Sequence, residues 1–276
     1  MNKKIATLSN FQQRTIIGVL GAAVFIGGIL LNEWTYFVLF LGLTLLGIAE
    51  FYRLVAVQGV KPNRGLGLSL GALLFVSVFL IEKEAMPPEL LFLSLPVLFL
   101  AFILELYRKQ EEPFTNIAYT ILGVAYVAGP FSLLHLLGYL QRDYYRWQPI
   151  LGLLLLIWAA DTGAYICGKS FGKHKLFARI SPGKTWEGWA GGTLLSVVVS
   201  YVLSLFFTEL ELYQWIGIAL IVGIFGVLGD LTESLLKRSL GVKDSGTLLP
   251  GHGGILDRFD SLLMAIPFIV AFLKIF

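Results

Sequence analysis

Apolar runs of about twenty residues recur along this chain, and that is the length a helix needs to cross the hydrocarbon core of a bilayer. No water reaches the backbone there, so a spanning segment must pair its own N–H and C=O groups, as a helix does. The expected fold is therefore all-α, a polytopic integral membrane protein. Composition agrees: 57% of residues are hydrophobic and 14% charged, where soluble domains carry about 25% charge. Nine helices are expected, at roughly 15–31, 35–55, 65–81, 89–107, 117–139, 149–168, 186–207, 213–236 and 258–275. Turn signals separate them at Lys61-Pro62-Asn63-Arg64, Pro87-Pro88, Glu112-Pro113 and Ser181-Pro182-Gly183. No soluble domain fits, so 1–276 is read as one unit. Lys3, Lys4 and Arg14 precede a long apolar run without a small-residue cleavage site, so the first run is expected to be a retained helix. Cys167 is the only cysteine, which excludes an intrachain disulfide and suits a small packing residue.

Basic residues orient the bundle. With the amino terminus in the cytoplasm, 17 of the 21 Lys and Arg fall on inner segments, leaving only Lys83, Arg142, Arg146 and Lys274 outside. The two loops richest in polar residues, 169–185 and 237–257, then face the cytoplasm, where nucleoside triphosphates are. For Lys3, Lys4, Arg53, Lys61 and Arg64 orientation alone is a sufficient role.

The span from Ser234 to Asp260 gathers Lys237, Arg238, Lys243, Asp244, His252, Asp257, Arg258 and Asp260 in an otherwise apolar protein. A charge at membrane depth costs on the order of 2.5–3.5 kcal/mol, so such a cluster marks a site. Asp230, Ser234 and Lys237 share one face of a helix at i, i+4, i+7, and Asp257 and Asp260 share a face at i, i+3. Acids at a helix start are favoured by its dipole without any function, and Asp230 alone could simply pair with Lys237. The glycine turn and imidazole before Asp257 are more than a cap requires. Metal coordination by Asp257, shared with Asp230, is expected, and an all-oxygen set suits Mg²⁺. Zinc is not expected, because His252 has no second His or Cys at ligand spacing.

A second constellation runs from Asp161 to Glu187. Asp161 falls inside the sixth helix, where an acid is functional unless a neighbouring Lys neutralises it. Lys184 and Thr185 stand at a helix start, suited to an anion. A P-loop is rejected, since its pattern needs Gly where Ala178 stands and no strand is expected before it. His135, in an apolar run, is taken as structural. Glu50 with Arg53 and Glu105 with Arg108, each i, i+3, are read as interfacial ion pairs. Trp34, Tyr36, Trp147 and Trp215 are read as interfacial belt residues.

The run S-x-x-K-R-x4-K-D-x-G-x-x-L-P-G-H-G-G-x-x-D-R-x-D, Ser234 to Asp260, closely resembles the signature of phosphatidate cytidylyltransferases, also called CDP-diacylglycerol synthases. Asp161-Thr162-Gly163-Ala164-Tyr165, Phe171 to Lys175 and Ser181 to Gly188 resemble that family's second shared segment. The resemblance covers about 55 residues and implies an enzyme that joins CTP to phosphatidate, releasing pyrophosphate. It also implies a homodimer, a divalent-metal site on the acids matching Asp230 and Asp257, and a second cation such as K⁺. The expected site then comprises catalytic Lys237, Arg238, Lys243, Asp244, His252, Arg258 and Asp260, with Asp161, Lys184, Thr185, Ser234, Gly253 and Gly254 binding substrate. Residues 148–276 would carry this site, and 1–147 would provide scaffold, lipid access and dimer contacts. The expected location is the bacterial inner (plasma) membrane with the site facing the cytoplasm, and no nucleic-acid partner is expected.

Two rivals remain. A CTP-dependent lipid or polyprenol kinase would attack the γ-phosphorus and release CDP. A transporter would distribute charge along several helices and show an internal repeat; neither feature is present. The orientation has a direct check: a cysteine placed within 169–180 should be labelled only from the cytoplasmic side, and one near Glu209 only from the opposite side. Reversed labelling would overturn the assignment.

Overall fold

The computed structural model describes residues 21–140, 144–242, 245–246 and 253–276. Helices occupy each position expected from hydropathy: α1 Gly21–Leu30, α2 Glu33–Gln58, α3 Arg64–Glu82, α4 Pro88–Arg108, α5 Pro113–Gly138, α6 Gln148–Phe171, α7 Trp186–Phe206, α8 Leu212–Ser239 and α9 Leu256–Ile275. The segments α2 to α8 are seven helices long and apolar enough to cross a membrane. The α9 helix bears Asp257, Arg258 and Asp260 in its first turns, which lowers its apolar character at that end.

Local chemistry sets the helix starts. Asn32 caps α2, its side chain accepting from Trp34 N–H (2.9 Å) and Thr35 N–H (3.0 Å), while Thr35 Oγ1 accepts from Asn32 N–H (3.2 Å). Asn63 caps α3 through Leu66 N–H. Pro113 opens α5, where its missing N–H costs nothing.

Lipid is as apolar as leucine, so these helices associate through close packing and hydrogen bonds rather than by escaping water. The tightest pair is α6 with α7. A Cβ on Gly163 would stand 2.8 Å from the Gly191 carbonyl oxygen, and one on Gly191 would run into Cys167. Cys167 thus has the packing role expected of it. Polar side chains add internal bonds: Tyr52 OH donates to Thr120 O (2.6 Å), and Tyr36 OH lies 3.1 Å from His135 Nδ1. His135 is fully buried among aromatic rings, as a structural residue should be. Tyr36 and Trp215 are fully buried as well, which corrects their reading as belt residues, whereas Trp34 is exposed.

Two π-turns interrupt the helices, Val124–Ala128 in α5 and Val222–Gly226 in α8. Such turns disturb the regular backbone ladder. In α8 the Gly223 carbonyl accepts from Trp189 Nε1 of α7 (2.8 Å) and the Gly226 carbonyl from Ser261 Oγ of α9 (3.1 Å). The irregular turn therefore fastens α7 and α9 to α8, one helical turn before Asp230.

The loop after α6 is not simple coil. Lys175–Phe177 (β1) pairs antiparallel with Ser181–Thr185 (β2), Lys175 opposite Thr185. A short strand does precede α7, contrary to expectation, although Ala178 still breaks the P-loop pattern. Glu187 ties the hairpin to α7 by accepting from Lys173 N–H (3.1 Å), with His174 Nδ1 2.6 Å away.

The close approach of α6 and α7 can be measured. Gly163→Val should lower the thermal midpoint in detergent, at a cost of about 1–3 kcal/mol, because overpacking against a backbone oxygen cannot be relieved by a rotamer change. Gly42→Ala, whose Cβ would meet nothing within 4 Å, should be neutral or stabilising. Equal midpoints for the two variants would refute the packing account.

Candidate active site

Polar side chains collect at the two ends of the bundle. At one end Glu33 pairs with Lys83 and accepts from Tyr139 OH (2.7 Å), and Arg146 lies 3.7 Å from Glu209. The other end joins the carboxyl ends of α2, α6 and α8 to the hairpin and the start of α9, and it holds the residues singled out from the sequence.

Two cavities adjoin there. The larger, about 810 Å³, has walls from Val24 and Phe25 of α1, Leu39 and Leu43 of α2, and Leu154 and Trp158 of α6; Asp161, Asp230, Asp257 and Asp260 line it too. The smaller, about 320 Å³, lies between Tyr165, Gly168, Lys184, Thr185 and Trp189. Asp161 and Asp230 line both. One cavity is thus apolar with a carboxylate end, the other adds Lys184 and Thr185 to a partly apolar wall, and they meet at two acids.

The acids are not left bare. Lys184 reaches back from β2 to Asp230 (2.6 Å), and Ser234 Oγ donates to the same carboxylate (3.3 Å). Asp230 therefore pairs with Lys184 rather than with Lys237. Lys237 instead lies between Glu233 (2.5 Å) and Asp257 (2.6 Å). The second oxygen of Asp257 accepts from Gly254 N–H (2.9 Å) and Ser245 N–H (3.2 Å). Asp260 lies in the field of Asp230 and Asp161, with Lys184 opposing them. Four carboxylates line the larger cavity, accompanied by the Arg258 guanidinium in its wall and by the ammonium groups of Lys184 and Lys237, which pair with Asp230 and Asp257.

The expected residues have distinct surroundings. Thr185 is buried and caps α7, its hydroxyl accepting from Gly188 N–H (3.1 Å), while also lining the smaller cavity. Gly253 has φ +80°, a conformation that suits glycine, and a Cβ there would come 3.0 Å from Asp257 Oδ2. Arg238 and Arg258 are exposed, and Arg258 lines the larger cavity. Lys243, Asp244 and His252 lie outside the described residues. The Glu105–Arg108 pair forms as expected (2.7 Å).

Glu50 corrects the sequence reading. It is 1% exposed, and its carboxylate accepts from Ile255 N–H (2.8 Å), Leu256 N–H (3.0 Å) and the Ser245 hydroxyl. Its sequence neighbourhood, the end of an apolar helix followed by Arg53, matches that of an interfacial ion pair. The contacts that define it lie about two hundred residues away and leave no local signal.

The donor set around the larger cavity is all oxygen, which suits Mg²⁺: that ion is usually held by one or two carboxylates completed by phosphates and water. Among the described residues no three His, Cys, Asp or Glu side chains form a ready-made metal cage. Asp230 and Asp257 both line this cavity, each paired with a lysine.

Comparison with known proteins gives the family. Residues 12–276 match the cytidylyltransferase family. A Staphylococcus aureus (strain COL) protein named phosphatidate cytidylyltransferase is 35% identical over 264 residues, covering 92% of this chain and 95% of the relative. A protein of the same name from Bacillus subtilis (strain 168) is 33% identical over 273 residues, covering 97% and 99%. With nearly its whole length matched, the chain belongs to the cytidylyltransferase family.

Proposed function

We propose that this protein transfers the cytidylyl group of CTP to phosphatidate, giving CDP-diacylglycerol and pyrophosphate at the cytoplasmic face of a bacterial plasma membrane. The observation that carries the reading is the pair of cavities meeting at Asp161 and Asp230. An amphiphile fits the larger one, with acyl chains entering sideways from the bilayer along α1 and α2 and the phosphate at the acidic end. The nucleotide fits the smaller, beside Lys184 and the hairpin.

In this reading the phosphatidate phosphomonoester oxygen attacks the α-phosphorus of CTP in line, and pyrophosphate leaves. A monoester with its second pKa near 6 is already largely a dianion, so no strong general base is needed. The difficulty is repulsion between two anions. Lys184, Lys237, Arg238, Lys243 and Arg258 offset it by holding phosphate oxygens. Asp244 and His252 position groups rather than take a proton. Asp230 and Asp257 would hold Mg²⁺, which supplies charge neutralisation on the phosphates when bound; a second cation such as K⁺ belongs to the same proposal. The homodimer belongs to the same proposal, with the amino-terminal half providing contacts; only 11% of the residues in the most apolar stretch of α4 are buried within one copy.

Pyrophosphate should appear from CTP only when phosphatidate is added. Release of CDP instead would favour the kinase. Asp257→Asn should abolish turnover. Arg258→Gln should lower kcat/KM by at least ~10²-fold, the scale for losing a preorganised charge-stabilising donor, while Arg64→Gln should change it little. Similar small effects for both arginines would refute the site assignment.

A further inference from the structure

Glu50 is a buried carboxylate from the amino-terminal half of the chain, far in sequence from every acid and base of the site. Its oxygens meet three donors across the described parts of the glycine-rich segment: Ser245 Oγ, Ile255 N–H and Leu256 N–H. The last two are among the N–H groups at the start of α9 that lack a partner within the helix. An anion there is also favoured by the helix dipole.

The neighbouring glycines make room for this carboxylate. A Cβ on Gly246 would come 3.0 Å from Glu50 Oε2, and one on Gly254 would collide with both Glu50 and Ser245. Gly254, expected to bind substrate, also lets the segment close on Glu50.

The contact extends into the site. Ser245 Oγ, which donates to Glu50, is also 2.8 Å from Asp257 Oδ2, and Ser245 N–H donates to the same oxygen. Asp257 in turn holds Lys237 (2.6 Å). Glu50, Ser245, Asp257 and Lys237 therefore form one continuous polar chain from α2 to α8.

We propose that Glu50 is a positioning residue for the reaction: through Ser245 and the first turn of α9 it fixes Asp257, and with it Lys237, against the reacting phosphates. The plainer alternative is a buried cap that only stabilises α9. A cap would affect how much protein is folded. A positioning residue affects turnover by folded protein, since a misplacement of about 1 Å at a reacting centre costs roughly 10²-fold. The proposal rests on the cytidylyltransfer reading, and its test separates the two.

The full-length protein is purified in detergent as wild type, Glu50→Gln, Ser245→Ala and the double variant. Pyrophosphate release and amide exchange are measured on each. Gln keeps the shape but brings an NH₂ group towards backbone N–H donors. In Glu50→Gln kcat should fall roughly 10- to 100-fold, with KM for phosphatidate within about threefold, and exchange should quicken at Ile255 and Leu256 but not in α6 or α7. Ser245→Ala should lower kcat in the same direction, and the double variant should lose less than the product of the two single losses, because both act through one link. Unchanged kcat in both single variants, fully multiplicative losses, or faster exchange throughout the bundle would each overturn the proposal. If Glu50→Gln does not fold, Ser245→Ala decides alone, and wild-type kcat in it refutes the link. If the wild type releases no pyrophosphate with phosphatidate, the cytidylyltransfer reading has failed. The local exchange change would still show whether Glu50 holds the segment.

Discussion

Hydrocarbon offers no partner to a backbone N–H or C=O, and most of this architecture follows from that lack. It forces the apolar stretches into helices, and the β1–β2 hairpin lies outside them. It also makes exceptions informative. Where α8 loosens into a π-turn, its carbonyls are taken by Trp189 and Ser261, so the irregularity becomes a joint between three helices. That joint sits just ahead of Asp230, one of the two acids shared by both cavities.

The same scarcity of water governs the charges. Carboxylates brought together near a bilayer are costly unless cations accompany them. Here Lys184 and Lys237 do so, each reaching an acid on a different element: Lys184 joins β2 to α8, and Lys237 joins α8 to α9. The ion pairs that make the acids tolerable also assemble the site.

Much of this was legible in the sequence. Hydropathy located the helices within a few residues, because the bilayer sets their length. The polar run ending in Asp257-Arg258-Phe259-Asp260 stood out because charge is rare elsewhere in the chain. Side-chain partnerships were not legible, since they depend on helix rotation and on contacts across the fold. Asp230 looks on one helix like a partner for Lys237 yet pairs with Lys184. Trp215 sits near a helix end like a belt residue yet is buried against Gly152 and Phe207. Glu50 carries an interfacial pattern and closes the segment before α9 instead.

The central claim is that a lipid phosphate and the α-phosphate of a nucleotide meet at Asp161 and Asp230. Following phosphorus from CTP tests it most directly, with the protein in phosphatidate-containing vesicles. CTP labelled at the α-phosphate should pass its label into the organic-soluble lipid, CTP labelled at the γ-phosphate should leave its label in the aqueous phase, and Asp230→Asn should stop the transfer. Label from the γ-phosphate appearing in lipid, or transfer undiminished in Asp230→Asn, would contradict the account.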